Sequence, residues 1–150
     1  MSDLRLDTTD FRDIIEDHDR NPRHFGALSE PDRRATGYNP VCGDRFDVSV
    51  RLDDQIIKEI RFDGFGCAIS KASASMMTER VEGMTIADAV ATIDNVTRVF
   101  TKGGSLPENS SIELDSLLGV RNHPGRIKCV TLAWQAARAA LRGEATATTE

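Results

Sequence analysis

Arg45-Phe46-Asp47-Val48-Ser49-Val50-Arg51-Leu52, then Asp53-Asp54, then Gln55-Ile56-Ile57-Lys58-Glu59-Ile60-Arg61-Phe62 is the stretch that decides the fold class. Phe46, Val48, Val50 and Leu52 alternate with Asp47, Ser49 and Arg51, the period-two pattern of a strand buried on one face. Asp53-Asp54 supplies turn chemistry. Ile56, Ile60 and Phe62 then return on one face of a second strand. Ala35–Tyr38 adds a short third. A hairpin alone is marginal in water, so this sheet needs helices to cover its apolar face.

Those helices are written on both sides of the hairpin. Upstream, residues 1–9 are polar and predicted to fray. Asp10 is placed to cap a helix from Phe11 towards Asp17, with Phe11, Ile14 and Ile15 on one side, ended by Asn21-Pro22. Residues 20–35 read as a charged connector. Downstream, Ile69 to Glu82 is rich in Ala, Ser and Met, and Gly83 suits a C-terminal cap. Thr85-Ile86-Ala87-Asp88 resembles a capping box. Ile86, Val90, Ile93, Val96 and Phe100 then recur at helical spacing. Residues 101–111 form a polar loop, and a short helix is predicted around Leu114–Leu118. The last helix starts near Pro124, with Ile127, Val130, Trp134, Ala137 and Leu141 as its apolar stripe. The tail from Gly143, residues 143–150, reads as flexible. Helix, hairpin, helices is an α+β order: a small antiparallel sheet of about three strands packed on several helices, one domain over 1–150.

Composition narrows the functional classes. With 24 acidic against 19 basic residues and a net charge of −5, the chain has no general attraction for a phosphate backbone, which argues against nucleic acid. No long apolar run offers a membrane span. The first two dozen residues, crowded with Asp and Arg, hold no export signal, so a cytoplasmic setting is expected. In a reducing compartment the three cysteines, Cys42, Cys67 and Cys129, are not expected to form a disulfide framework.

Their neighbourhoods point elsewhere. Cys42 stands in Asn39-Pro40-Val41-Cys42-Gly43-Asp44, a turn in which Gly43 permits backbone conformations that a Cβ forbids. Cys67 follows Gly64 and Gly66 at a predicted helix start, where free N–H groups favour a thiolate. Cys129 lies in the first turns of the last helix, just after Arg126 and Lys128. From Gly119 to Arg142 there are five basic residues and no acid. That stretch is either a solvated helix face or a positive field that lowers the pKa of Cys129 and attracts an acidic partner. The cysteines themselves are either buried structural thiols or metal ligands. Three thiolates and the Asp44 carboxylate would complete a tetrahedral zinc site, with Arg126 and Lys128 offsetting the excess negative charge. The spacings match no zinc-finger pattern, so the fold would have to gather the ligands. His18 and His24 read as solvated, and His123 as a loop residue.

Three ordered blocks carry a resemblance: Asn39-Pro40-x-Cys42-Gly43-Asp44-Arg45; Gly66-Cys67-x-Ile69-Ser70-x-Ala72-Ser73-Ala74-Ser75-Met76-Met77-Thr78; and Arg126-Ile127-Lys128-Cys129-x-Thr131-Leu132-Ala133-Trp134. Together they resemble the SUF-system (SufU) branch of the NifU/IscU N-terminal family, from about Phe11 to Arg142. Scaffold IscU proteins are similar but carry a His before the third cysteine and lack some of the second half. Here Lys128 takes that place and the extra length falls in Thr101–Asn122, as in the SufU branch. The resemblance implies a SufE/NifU-like fold, zinc held by Cys42, Asp44, Cys67 and Cys129, and a SufS-like cysteine desulfurase as partner. It also implies a role in activity for Arg126. Gly125 departs from the Ala of many relatives.

Two functions follow from the resemblance. The first is a zinc-dependent sulfurtransferase: Cys42 accepts persulfide sulfur from the desulfurase and passes it on for iron–sulfur cluster assembly. The resemblance implies that a desulfurase histidine takes over a zinc position as Cys42 leaves. The second is a scaffold holding a nascent [2Fe–2S] cluster, or iron, on the same ligands before transfer to apo-proteins.

Overall fold

The computed structural model describes residues 8–41, 43–106 and 112–148. The order of elements is α1 (Thr8–Arg20), β1 (Arg33–Tyr38), β2 (Arg45–Asp53), β3 (Ile56–Phe65), α2 (Ala68–Val81), α3 (Ile86–Lys102), α4 (Ile112–Ser116), a 3₁₀ turn at Leu118–Asn122, α5 (Pro124–Leu141) and β4 (Thr146–Thr148). The class is α+β. Strands β1, β2 and β3 are antiparallel neighbours, as the alternation predicts. The sheet has four strands rather than three, in the order β3-β2-β1-β4.

The fourth strand falls within the segment 143–150 that reads as a tail. Thr146, Ala147 and Thr148 run parallel to Thr36, Gly37 and Tyr38, and the Arg33 guanidinium holds the end of α5 through the carbonyl of Leu141 at 3.0 Å. The segment has little apolar content to signal burial. It is ordered by backbone pairing to an otherwise open sheet edge, which no side-chain pattern reports. Helix α1 also begins upstream of Asp10, so that residue lies inside the helix instead of capping it.

The hairpin holds a second correction. Arg51 pairs with Glu59 and Leu52 with Ile57, so the ladder skips Lys58. One extra residue in β3 reverses the side-chain alternation there. Ile57, Ile60 and Phe62 are therefore fully buried, while Ile56 is exposed.

Helix α5 is the axle of the molecule. It packs on β1, β2 and β4 on one side and on α2 and α3 on the other. Nearly every residue from Cys129 to Leu141 is buried, not only the stripe of five. Its alanines (133, 136, 137, 139 and 140) let neighbours approach on all sides. Trp134, wholly buried, donates its indole N–H to Ser73 Oγ of α2 at 2.9 Å. The Ser73 hydroxyl in turn donates to the Val130 carbonyl of α5 at 2.6 Å. Helix α2 is similarly lined with small buried residues (Ser70, Ala72, Ser73, Ala74, Ser75), which brings the two helices together.

Ser73→Ala should leave the buried indole N–H without an acceptor, at a cost of about 1–3 kcal/mol. The expected outcome is a melting temperature lower by roughly 2–4 °C per kcal/mol for a domain of this size. Thermal unfolding followed by circular dichroism measures it, and an unchanged melt would remove this clamp from the account.

Candidate metal centre

The loop between β1 and β2 is closed by Asn39, which is buried. Its N–H donates to the Asp44 carbonyl at 2.9 Å, and its carbonyl accepts from Gly43 N–H at 2.8 Å. Its side-chain oxygen accepts from Val41 N–H at 3.1 Å. Gly43 has φ +80°, the left-handed conformation that the turn reading requires. These bonds aim the Asp44 carboxylate inward, where it is 6% exposed. Cys42 lies outside the described residues; its neighbours Val41 and Gly43 are both anchored on Asn39.

Cys67 is the N-cap residue of α2, in extended backbone. Gly66 before it makes the approach of the two segments feasible. A Cβ there would stand 2.9 Å from the Phe46 ring and 3.1 Å from Asp44 Cγ. Cys129 comes from the second turn of α5 and is 5% exposed. The ligand atoms of Asp44, Cys67 and Cys129 all lie within 4.8 Å of one another. The fold thus gathers one carboxylate and two thiols from three separate elements.

Ser70 ties them together, a residue to which the motif reading assigned no role. Its hydroxyl donates to Asp44 Oδ2 at 2.5 Å and stands 3.3 Å from Cys67 Sγ. One turn after Cys67 on α2, it shares the face of the helix that looks at Asp44. That i, i+3 spacing was the available signal.

The electrostatics reverse one expectation. Burial pushes the Cys129 thiol up to about 12, reinforced by the neighbouring Cys67; Ser70 pulls weakly the other way. The basic run does not produce a lowered pKa. Arg138 is engaged with Asp94 at 2.6 Å, Arg142 faces Glu144 at 3.7 Å, and Arg121 caps the Gly104 carbonyl. Desolvation of a thiolate outweighs cations spent elsewhere. Arg126 is exposed, and its side chain makes no hydrogen bond or ion pair with another described residue. It lines an open cavity of about 600 Å³ with Ile69, Val120 and His123.

The donor set itself fits a bound cation. A buried carboxylate and two thiols in mutual contact are costly as bare anions and are satisfied by a borderline-soft ion that takes sulfur and oxygen at ~2.0–2.3 Å. The histidines near the sequence motifs do not join them. His123 is exposed at the N-cap of α5. His18 and His24 are not solvated as the charged flanks suggested. His18 is 1% exposed, and His24 is held by Thr78 Oγ1 at 3.0 Å.

The match to the NifU-like N-terminal domain covers residues 10–143. The chain belongs to that family. It is 38% identical over 135 residues to the zinc-dependent sulfurtransferase SufU of Bacillus subtilis, covering 87% of this chain and 88% of that protein. It is equally 38% identical to the iron–sulfur cluster assembly scaffold protein IscU of Streptococcus pyogenes, covering 89% and 84% of the two chains. A crystal structure from Fervidobacterium islandicum, described as an iron–sulfur cluster assembly scaffold for the SUF system, superposes with a TM-score of 0.79 at 30% identity, over 85% of this chain and 93% of that one. No helix among the described residues is long and apolar enough to cross a membrane.

Two outcomes test this centre. Because Cys129 is protonated at neutral pH in the metal-free protein, uptake of Zn²⁺ should release its proton. Apparent zinc affinity should then rise about ten-fold per pH unit for each thiol proton displaced, measured by competition with a chromophoric chelator between pH 6 and 8. A flat profile would mean that the buried thiol stays out of the site. Gly66→Ala should weaken zinc binding by roughly 10–100-fold, because its Cβ pushes on Asp44 and Phe46.

Proposed function

We propose that this chain is a sulfur acceptor of iron–sulfur cluster assembly, a zinc-dependent sulfurtransferase fed by a cysteine desulfurase. The observation that carries the reading is the convergence of Asp44, Cys67 and Cys129 beside the loop that bears Cys42. The likeness to the Bacillus subtilis sulfurtransferase supports it. Asp44, Cys67 and Cys129, with Cys42, would hold the zinc ion. Bound there, zinc would keep thiols deprotonated at neutral pH and shield them from casual oxidation.

Each residue then has a task. Asp44 and Ser70 fix the orientation of the buried ligands. Cys67 and Cys129 are anchored by helices, so they serve as the permanent pair. Cys42, on the loop between β1 and β2, is the acceptor. Its thiolate attacks the outer sulfur of the partner's cysteine persulfide. The new S–S bond forms on Cys42 as the old one breaks, and the partner's cysteine departs as a thiolate that takes up a proton. Arg126 supplies free positive charge at the rim, where it stabilises thiolate character during exchange. Val41 and Phe65, 80% and 64% exposed, flank the site and offer apolar contact to a docking partner.

The scaffold reading rests on the equal identity to the Streptococcus pyogenes protein. Lys128 before Cys129, where the scaffold branch carries His, favours sulfur transfer. Metal analysis separates the two. Aerobically purified protein should carry about one zinc per chain and be colourless; a brown iron–sulfide chromophore in its place would favour the scaffold.

After incubation with a desulfurase and cysteine, then alkylation and peptide mass spectrometry, persulfide should appear on the Cys42 peptide. Cys42→Ala should keep much of its zinc and accept no sulfur. Persulfide found mainly on Cys129 would reverse the assignment.

Arg126→Ala should retain zinc and melting temperature while lowering desulfurase stimulation. Full stimulation by this variant would return Arg126 to the role of a solvated surface residue.

A further inference from the structure

At the far end of α2 a second group of donors closes on a point that the sulfur chemistry does not use. His18 of α1, Glu79 of α2 and Glu113 of α4 present ligand atoms that all lie within 4.8 Å of one another. Cys67 caps the opposite end of α2, and the helical rise from Cys67 to Glu79 is ~18 Å, so the two groups are separate. His18 is wholly buried, yet its Nε2 has no hydrogen-bond partner. That atom faces Glu113 Oε2 at 3.7 Å and Glu79 Oε1 at 4.0 Å.

These separations are too long for hydrogen bonds, which close at ~2.7–3.2 Å. They are right for three ligands around one ion. Atoms that share a cation at ~2.0–2.2 Å stand no more than about 4.4 Å apart, and the two partly exposed glutamates have the freedom to close the remainder. The other face of the imidazole is already prepared. His18 Nδ1 lies 2.7 Å from Ser75 Oγ. Ser75 Oγ also accepts the Arg23 N–H at 2.8 Å and keeps a second lone pair for an Nδ1–H. With the proton on Nδ1, the bare lone pair of Nε2 would face the carboxylates, the arrangement by which a second hydrogen bond orients a metal-ligating histidine.

We propose that His18, Glu79 and Glu113 form a second cation site, for a first-row divalent ion that accepts one imidazole and two carboxylates. Oxygen-rich donors of this kind suit Mn²⁺ or Fe²⁺, whereas the thiolate-rich centre at the other end of α2 suits softer ions. The ring is held ready for it: burial, then the positive charge of Arg23, lowers the His18 pKa, and Glu79 and Glu113 only partly oppose this. A neutral imidazole between two carboxylates makes no ion pair of its own. The adjoining cavity of about 270 Å³, lined by Met76, Glu79, Arg80 and Glu113, leaves room for water to complete the coordination. Arg80 stands at its wall, and Arg23, the other cation that acts on His18, is itself paired with Asp17 at 2.6 Å. Occupancy would tie α1, the C-terminal end of α2 and α4 together, remote from the cysteines.

The experiment uses the full chain loaded with one equivalent of Zn²⁺ and Mn²⁺ as the probe. Free Mn²⁺ is followed by its room-temperature electron paramagnetic resonance signal as protein is added. One saturable Mn²⁺ site per chain is expected, with zinc content unchanged. Glu79→Gln and Glu113→Gln, both partly exposed and tolerable to the fold, should each weaken Mn²⁺ binding at least about ten-fold. Glu82→Gln, beside His24 on the same side of the molecule, should not. His18→Gln should abolish saturable binding. Absence of saturable Mn²⁺ uptake by the zinc-loaded chain, or uptake that Glu113→Gln leaves unchanged, would overturn the proposal. Because zinc content is read in the same samples, failure here is distinguishable from failure of the sulfur-acceptor reading.

Discussion

The clamp between α2 and α5 is the interaction on which the cysteine centre depends. Trp134 donates to Ser73, and Ser73 donates to the carbonyl of Val130, all within the buried seam. Each such bond contributes only about 0.5–1.5 kcal/mol. Its importance is geometric. Cys67 and Cys129 belong to these two helices, so the register of one helix against the other sets the distance between their sulfurs. Small residues along α2 let that register be close, and one polar pair fixes it against sliding.

The third described donor, Asp44, arrives from the sheet, and here sterics decide. Asn39 closes the loop between β1 and β2 with three hydrogen bonds. Asp44 is then delivered to a place where a Cβ on residue 66 would crowd its Cγ at 3.1 Å and press on the Phe46 ring at 2.9 Å. Ser70 is the common partner of the carboxylate and of Cys67. The centre is thus assembled from three elements that have in common only contact with the core. Its affinity for a cation is inseparable from folding, since no part of the unfolded chain brings these donors together.

Burial sets the chemistry as well as the geometry. A carboxylate and a thiol, 6% and 5% exposed, have lost most of their water. The same loss drives the Cys129 thiol towards its protonated form. The basic run does not repair this: Arg138, Arg142 and Arg121 satisfy acids and carbonyls elsewhere, and Arg126 stands exposed in solvent. The negative charge that bound thiolates need must come from displacing protons with a metal. Donors of this kind favour ions that hold sulfur strongly.

Much of this protein is legible in its sequence, for local reasons. The alternation of Phe46, Val48 and Val50, the capping role of Thr85 and the breaks at Pro22, Gly83 and Pro124 are each encoded within a few residues, because strand pleat, helix caps and turns are short-range physics. The three blocks around Cys42, Cys67 and Cys129 also mark the chain's family without coordinates. Tertiary structure alone decided the rest. The bulge at Lys58 that buries Ile57 in place of Ile56 answers to packing across the hairpin, and β4 forms by backbone pairing that Thr-Ala-Thr does not announce. His18 reads as a solvated residue among charges, yet helix α1 turns it into the core against Ser75. Desolvation belongs to the whole fold, so neither the raised pKa of Cys129 nor the burial of Asp44 is written in any single stretch of chain.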